Sequence, residues 1–282
     1  MPWQHGNLKL RSMSDAPERF AVGFVVYSPA ADLLARLEMI NGKGYRVYIY
    51  DNSPEVPLLR RNIQLLKNIK YSTSGKNLGV AIGLSTICAE AYYDSFEALL
   101  YFDQDTVFDC RTIEFITEFY RDARSEFEKS YTAVVFSSDP LRDSGTDRAY
   151  EISDVTLAIS SGSLFFLRNL KLLGWHNETY FVDGVDYELC LRSLRGHQRI
   201  GRCRNTPGFD HVSGQPDKAI VVWGKSLPLR RYSLARIADA SRSYLRLFFS
   251  SVAAGQLKFA AGMVRSYALY VFGQALARII LK

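Results

Sequence analysis

Apolar and polar positions alternate along the first half of the chain in two distinct periods. Residues 20–27 (Phe-Ala-Val-Gly-Phe-Val-Val-Tyr) form an unbroken apolar run of strand length, the pattern of a strand covered on both faces of a sheet. Leu33, Leu34, Leu37 and Ile40 follow at helical spacing and stop at Asn41-Gly42. The same reading predicts strands over residues 45–50 and 69–72, helices over 56–66 and 80–93, and a strand entered at Leu99. Strands alternating with helices imply an α/β fold with a parallel sheet, and ligands of such sheets bind beyond the carboxyl ends of the strands. After Ser130 the rhythm changes. Residues 132–136, 156–160 and 164–167 predict strands around a charged loop at 139–154, followed by an amphipathic helix over 185–194 and a strand over 199–203. From Ser226 onward the composition is helical.

Composition sharpens this picture at few points. The four cysteines show no Cys-x-x-Cys spacing and read as buried thiols of a reducing compartment. The first twenty residues hold no continuous apolar stretch, and no run of eighteen apolar residues occurs, so neither a signal peptide nor a spanning helix is expected. Charge is unevenly placed. Residues 224–282 carry ten Lys and Arg against one acid, a net of +9, and the preceding residues sum to −3. The boundaries expected are an extension over 1–19, a main domain over 20–223 and a basic amphipathic helical tail over 224–282. Such a tail suits an anionic membrane surface, or packs on the body as a solvated helical pair or an oligomer interface.

Candidate chemistry gathers at predicted strand ends. Asp103 and Asp105 are two residues apart after an apolar run, so on an extended segment they share one face. Two such charges suit a divalent cation shared with ligand phosphates, or they start a turn and cap a helix beginning near Cys110. Asp51 can accept from the imide N–H of uracil or thymine, or cap a turn with Asn52 and Ser53. Asn77 is placed as an N-cap whose neighbouring backbone N–H groups could face a phosphate or ribose. Asp186 and Glu188 begin a helix, where a carboxylate stays ionised as a general base must, or forms a surface pair with Arg192. His211 could complete a metal shell begun by carboxylates, or be a loop residue. Gly75-Lys76-Asn77 lacks the P-loop's first glycine and its Ser or Thr, and 79–83 lacks the G-x-G-x-x-G spacing.

Taken together, several segments resemble the family 2 glycosyltransferases of GT-A fold, nearest to bacterial rhamnosyltransferases of surface polysaccharide synthesis. They are Val26-Tyr27-Ser28-Pro29, Asp51-Asn52-Ser53, Asn77-Leu78-Gly79-Val80-Ala81, Leu100-Tyr101-Phe102-Asp103-Gln104-Asp105-Thr106, Ser161-Gly162-Ser163, residues 181–192, His211-Val212-Ser213-Gly214 and residues 230–236. The resemblance implies a Rossmann-like, mostly parallel sheet and inverting transfer from a nucleotide-diphosphate sugar, dTDP-rhamnose favoured, with another UDP- or dTDP-sugar as alternative. It implies base contact by Asp51, nucleoside contact by Asn77, a D-x-D element of Asp103 and Asp105 holding Mg²⁺ or Mn²⁺, a catalytic base at Asp186 and a further metal ligand at His211. Acceptor binding is assigned to Ser161, Gly162, Trp175 and Glu178. The family's Phe-Asp-Glu is replaced here by Trp175-His176-Asn177-Glu178, and its usual Asn by Ser28. The acceptor is expected to be a saccharide or a polyprenyl-linked saccharide at the inner face of the cell membrane. The protein is expected to be cytoplasmic and peripheral, with no nucleic-acid partner and homo-oligomer formation left open. A sugar nucleotidyltransferase would need a Gly-rich, basic loop after the first strand, which Ser28-Pro29-Ala30-Ala31 does not supply. A non-catalytic RNA- or membrane-binding protein leaves the carboxylates at the strand ends unexplained, and a non-catalytic nucleotide-sugar-binding protein is a further alternative.

Overall fold

A computed structural model describes residues 19–54, 58–63, 65–140, 150–210, 218–222, 225–229 and 231–280. The alternation of the first half becomes β1 (Phe20–Val26), α1 (Asp32–Gly42), β2 (Val47–Asp51), α2 (Leu58–Ile63), β3 (Ile69–Thr73), α3 (Val80–Tyr93) and β4 (Ala98–Asp103). These four strands are mutually parallel, β1 lying between β2 and β4 and β2 lying next to β3. Their carboxyl ends therefore share one edge. There Val25 of β1 stands beside Asp103 of β4, and Val26 beside Asp51 of β2.

The second half adds α4 (Cys110–Phe127), β5 (Tyr131–Phe136), β6 (Ile152–Asp154), β7 (Ser163–Phe166), α5 (Leu167–Leu172), α6 (Val185–Arg195) and β8 (Arg199–Cys203). The eight strands order as β3-β2-β1-β4-β7-β5-β8-β6, with β7 antiparallel to both neighbours and β6 antiparallel to β8. Residues 156–160 are not a strand. The edge position is taken by 152–154 within the expected loop, because its backbone finds the free side of β8. Residues 225–229 are not helical either, since β9 (Lys218–Val222) and β10 (Lys225–Leu229) pair as an antiparallel hairpin. Two long helices, α7 (Leu234–Ala253) and α8 (Leu257–Ile280), close the chain.

Strand alternation sorts the core onto two sheet faces. Phe20, Val22, Phe24 and Val26 of β1 pack with Leu33, Leu37, Ile113 and Ile116 of α1 and α4. Ala21 and Val25 face Leu84, Ile87 and Cys88 of α3. Each large side chain so buried contributes about 1.5–3 kcal/mol. The helix entered at Cys110 is capped by Asp109, whose carboxylate accepts from the Arg111 N–H at 2.8 Å and completes a capping box with Thr112. Neither Asp103 nor Asp105 serves that purpose. Buried Cys88, Cys190 and Cys203 are free thiols, and so is the exposed Cys110.

Candidate active site

A cavity of about 700 Å³ opens at the carboxyl ends of β1, β2 and β4. Tyr27, Asn52, Asn77, Asp103 and Asp105 line it from the sheet edge, and Phe181, Ser233, Arg236 and Asp239 line it from the other side. The loop after β4 carries the two aspartates and is held from several directions. Its turn closes through the Thr106 N–H donating to the Asp103 carbonyl at 3.1 Å. From α1, Arg36 donates to the Gln104 carbonyl at 2.7 Å and to the Thr106 carbonyl. The Ser161 hydroxyl accepts from the Asp103 N–H at 3.1 Å and bonds the Thr106 hydroxyl at 2.6 Å. The Gln104 side chain accepts from the Tyr27 N–H at 2.7 Å, tying the loop to β1.

The carboxylates differ in surroundings. Tyr101 donates its hydroxyl to Asp103 Oδ1 at 2.6 Å. Asp105 is exposed. Burial pushes the Asp103 carboxyl up; the Tyr101 bond opposes this, and Asp105 adds to it. Asp186, in the first turn of α6, accepts from the Ser160 hydroxyl. Burial pushes its carboxyl up to about 6; the Ser160 bond opposes the rise, while Asp103 and Asp183 reinforce it. Asp186 is thus electrostatically coupled to the Asp103 loop although it follows that loop by some eighty positions. Asp183 Oδ2 and Arg236 Nε form an ion pair at 3.4 Å, and Asp239 Oδ2 is a buried oxygen with no hydrogen-bond partner among the described residues. Polar atoms left in this way cost about 1–3 kcal/mol each, an expense commonly found where a ligand supplies the missing partners.

The residues present fit a small divalent ion. Among the described residues no three or more His, Cys, Asp or Glu side chains gather as a ready-made site. Two carboxylates at the mouth of a cavity are nevertheless the protein share that Mg²⁺ or Mn²⁺ takes when phosphates and waters complete the shell. His211 lies outside the described residues. Its neighbour Asp210 pairs with Val107 through backbone bonds of 2.8 and 3.1 Å, two positions beyond Asp105.

Asn77 lines the cavity but is not the N-cap of α3. That position belongs to Gly79, whose N–H donates to the Asn77 side chain at 3.1 Å. Asn52 clamps the same loop, accepting from the Leu78 N–H at 2.9 Å and donating to the Gly79 carbonyl at 3.0 Å. Gly79 has φ +90°, and a Cβ there would stand 2.4 Å from the Phe181 carbonyl oxygen. Asp51 is fully buried and accepts from the Ser53 N–H and the Tyr71 hydroxyl, both at 2.8 Å.

The acceptor-side residues are not gathered at the cavity. Ser161 and Gly162 are buried beneath the Asp103 loop, where the Gly162 N–H donates to the Tyr101 carbonyl at 2.8 Å. Trp175 packs edge-on against Tyr92 with centroids 5.7 Å apart, and Glu178 is exposed; neither lines the cavity. Glu188 is buried rather than on the surface, paired with Arg192 at 2.7 Å. Sequence reasoning gave no role to Arg36, Tyr101, Ser160, Arg236 or Asp239. Tyr101 and Arg236 lie within segments it singled out and Ser160 adjoins one, whereas nothing local marks Arg36.

No protein-family model matches the sequence, and no curated protein matches it. Solved structures do match in shape. S. aureus TarS 1–349 superposes with a TM-score of 0.54 at 13% identity, over 87% of this chain and 70% of that one. The same TarS fragment in complex with UDP-GlcNAc gives 0.54 at 13%, over 87% and 71%. GalNAc-T7 with UDP, GalNAc and Mn²⁺ gives 0.52 at 12%, over 68% of this chain and 44% of that one, so this chain spans less than half of that protein. These identities speak to shape alone. A mostly parallel eight-stranded sheet between helices, with its cavity at the strand carboxyl ends and its likeness to those structures, is the GT-A glycosyltransferase fold.

Proposed function

We propose that the protein is a metal-dependent, inverting glycosyltransferase that uses a nucleotide-diphosphate sugar. The observation carrying this is the convergence on one cavity of the Asp103–Asp105 loop and the Asn52–Asn77–Gly79 clamp, with Asp186 coupled to Asp103. Asp103 and Asp105 would hold Mg²⁺ or Mn²⁺, with His211 a further ligand on the strength of the sequence resemblance alone. The ion supplies neutralisation of the charge that develops on the departing diphosphate. Asn77 and the Asp51–Asn52 turn receive the nucleoside, Asp51 reaching the base by exchanging its Tyr71 bond. The acceptor approaches from the side of Asp186, Phe181 and Arg236, with Ser161 and Gly162 supporting the Asp103 loop from beneath.

In the reaction, the acceptor hydroxyl oxygen bonds to the anomeric carbon as the bond from that carbon to the diphosphate oxygen breaks on the opposite face. Asp186 takes the hydroxyl proton. Its elevated pKa suits a base that must ionise near neutrality and then hold a proton. A single displacement inverts the configuration.

The donor favoured is dTDP-rhamnose, on the sequence resemblance, and the acceptor is a saccharide or lipid-linked saccharide of a surface polysaccharide. A UDP-sugar is the second reading, favoured by the UDP-GlcNAc complex of TarS. Uracil and thymine present the same imide donor, so Asp51 does not separate the two. Incubating the protein with a panel of dTDP- and UDP-sugars, with and without Mn²⁺, tests both readings. One donor should hydrolyse slowly and only with metal; hydrolysis of none of them, or hydrolysis indifferent to metal, would refute the proposal.

A further inference from the structure

Helices α7 and α8 cover the body with one side and leave the other uncovered. On α7, Leu245, Phe249 and Val252 recur at intervals of four and three and are 52%, 64% and 42% exposed. On α8, Val264, Leu269, Phe272 and Ile279 are 54%, 59%, 55% and 68% exposed. The inward sides are accounted for. Ala240, Ser243, Leu247 and Ser251 of α7 are buried, as are Phe259, Ala260, Met263 and Ala277 of α8. Helices apolar on both sides belong in a core or at a lipid boundary. Crossing is not the answer, for no helix among the described residues is long and apolar enough to span a bilayer.

Charge identifies the occupant. Residues 231–280 contain seven Lys and Arg and a single acid, Asp239, which lines the cavity rather than the outer face. Arg242, Lys258 and Arg265 are exposed and pair with no carboxylate among the described residues. A second copy of the same face would bring these cations against their own kind. An anionic lipid headgroup layer offers phosphates to the cations and acyl chains to the phenylalanines and leucines.

We infer that the α7–α8 pair is an interfacial docking surface for anionic membranes, lying in the headgroup plane. The first turns of α7 (Ser233, Ala235, Arg236 and Asp239) line the cavity, so docking sets that cavity beside the bilayer. This deepens the proposed function, on which the last step rests: the acceptor then belongs on a lipid carrier, and Asp186 meets its hydroxyl near the membrane surface.

Co-sedimentation of the full chain with sucrose-loaded vesicles of phosphatidylglycerol and phosphatidylcholine, against phosphatidylcholine alone, tests the surface. Binding should require phosphatidylglycerol, weaken with rising salt, and fall at least tenfold in Leu269→Ser/Phe272→Ser and in Arg242→Glu/Arg265→Glu. All four side chains are exposed, so thermal unfolding should stay near wild type. Absence of binding to anionic vesicles, or unchanged binding in both double variants, overturns the inference. So does a wild-type dimer in light scattering that Leu269→Ser/Phe272→Ser converts to monomer, because it makes the face an interface between copies. Donor hydrolysis measured without vesicles reports separately on the transferase reading, which can stand or fall independently.

Discussion

Replacing Arg36 tests whether the Asp103–Asp105 loop, the proposed metal holder, is held from outside the cavity. The side chain is 12% exposed and links α1 to two carbonyls of the Asp-Gln-Asp loop, Gln104 at 2.7 Å and Thr106. Its ion pair with Asp32, at 3.1 Å, involves a carboxylate 72% exposed and adds little. A hydrogen bond from a charged donor contributes about 1.5–3 kcal/mol. Arg36→Met loses both bonds, but the loop borders the cavity and water can recover part of the loss, so a net cost of about 2 kcal/mol is expected. For a chain of this size that lowers Tm by roughly 4–8 °C. The loop then samples positions in which Asp103 and Asp105 diverge. Loss of a supporting contact of this kind typically weakens metal binding about 10–100-fold. Arg36→Lys keeps the charge without the fork and should fall between Met and wild type. Titration calorimetry with Mn²⁺ in the presence of a nucleoside diphosphate reads this directly, with thermal unfolding in parallel. A folded Arg36→Met protein with wild-type Mn²⁺ affinity would refute the reasoning, since the loop would then hold its shape unaided.

Three further outcomes follow from the same geometry. Asp186→Asn removes the proposed proton acceptor while keeping the shape beside Ser160, so transfer should fall about 10²–10⁴-fold with donor affinity within twofold by equilibrium binding; undiminished turnover would exclude the base role. In the proposed mechanism Asp186 acts ionised; with its carboxyl raised to about 6, kcat/KM should drop as pH falls through that value, approaching tenfold per unit on the acid side. A profile flat down to pH 4.5 would contradict this. Gly79→Ala combines φ +90° with a Cβ 2.4 Å from the Phe181 carbonyl, so stability should fall by about 2–3 kcal/mol or more, visible in urea unfolding as a lower midpoint at unchanged m-value.

Much of the architecture is visible in local pattern. The apolar run at 20–27 and the helical spacing at Leu33, Leu37 and Ile40 correspond to β1 and α1, and α3 spans Val80–Tyr93 as its pattern predicts. Periodicity reports how many faces of a segment are buried, and parallel strands covered on both faces leave the clearest record of it. The chain beyond Ser130 is harder to read. Residues 156–160 have strand composition, yet the edge of β8 is filled by Ile152–Asp154, and the short α5 at Leu167–Leu172 carries too few turns to show a period. Edge pairing depends on which backbone is free nearby, a property of the assembled sheet and not of the segment.

The candidate site divides in the same way. The sequence by itself determined that two carboxylates leave a buried strand together, that a further acid opens a later helix, and that the last quarter of the chain is basic and apolar, because each of these is a matter of spacing or count. Only the tertiary structure decided what those residues do to one another. It set Ser161 and Gly162 beneath the Asp103 loop, turned Trp175 toward Tyr92, and brought Ser160 to Asp186 and Arg36 to the loop carbonyls. Those pairings join positions far apart in the chain, and a side chain's partner is fixed by how helices and strands stack, which no local window of sequence contains.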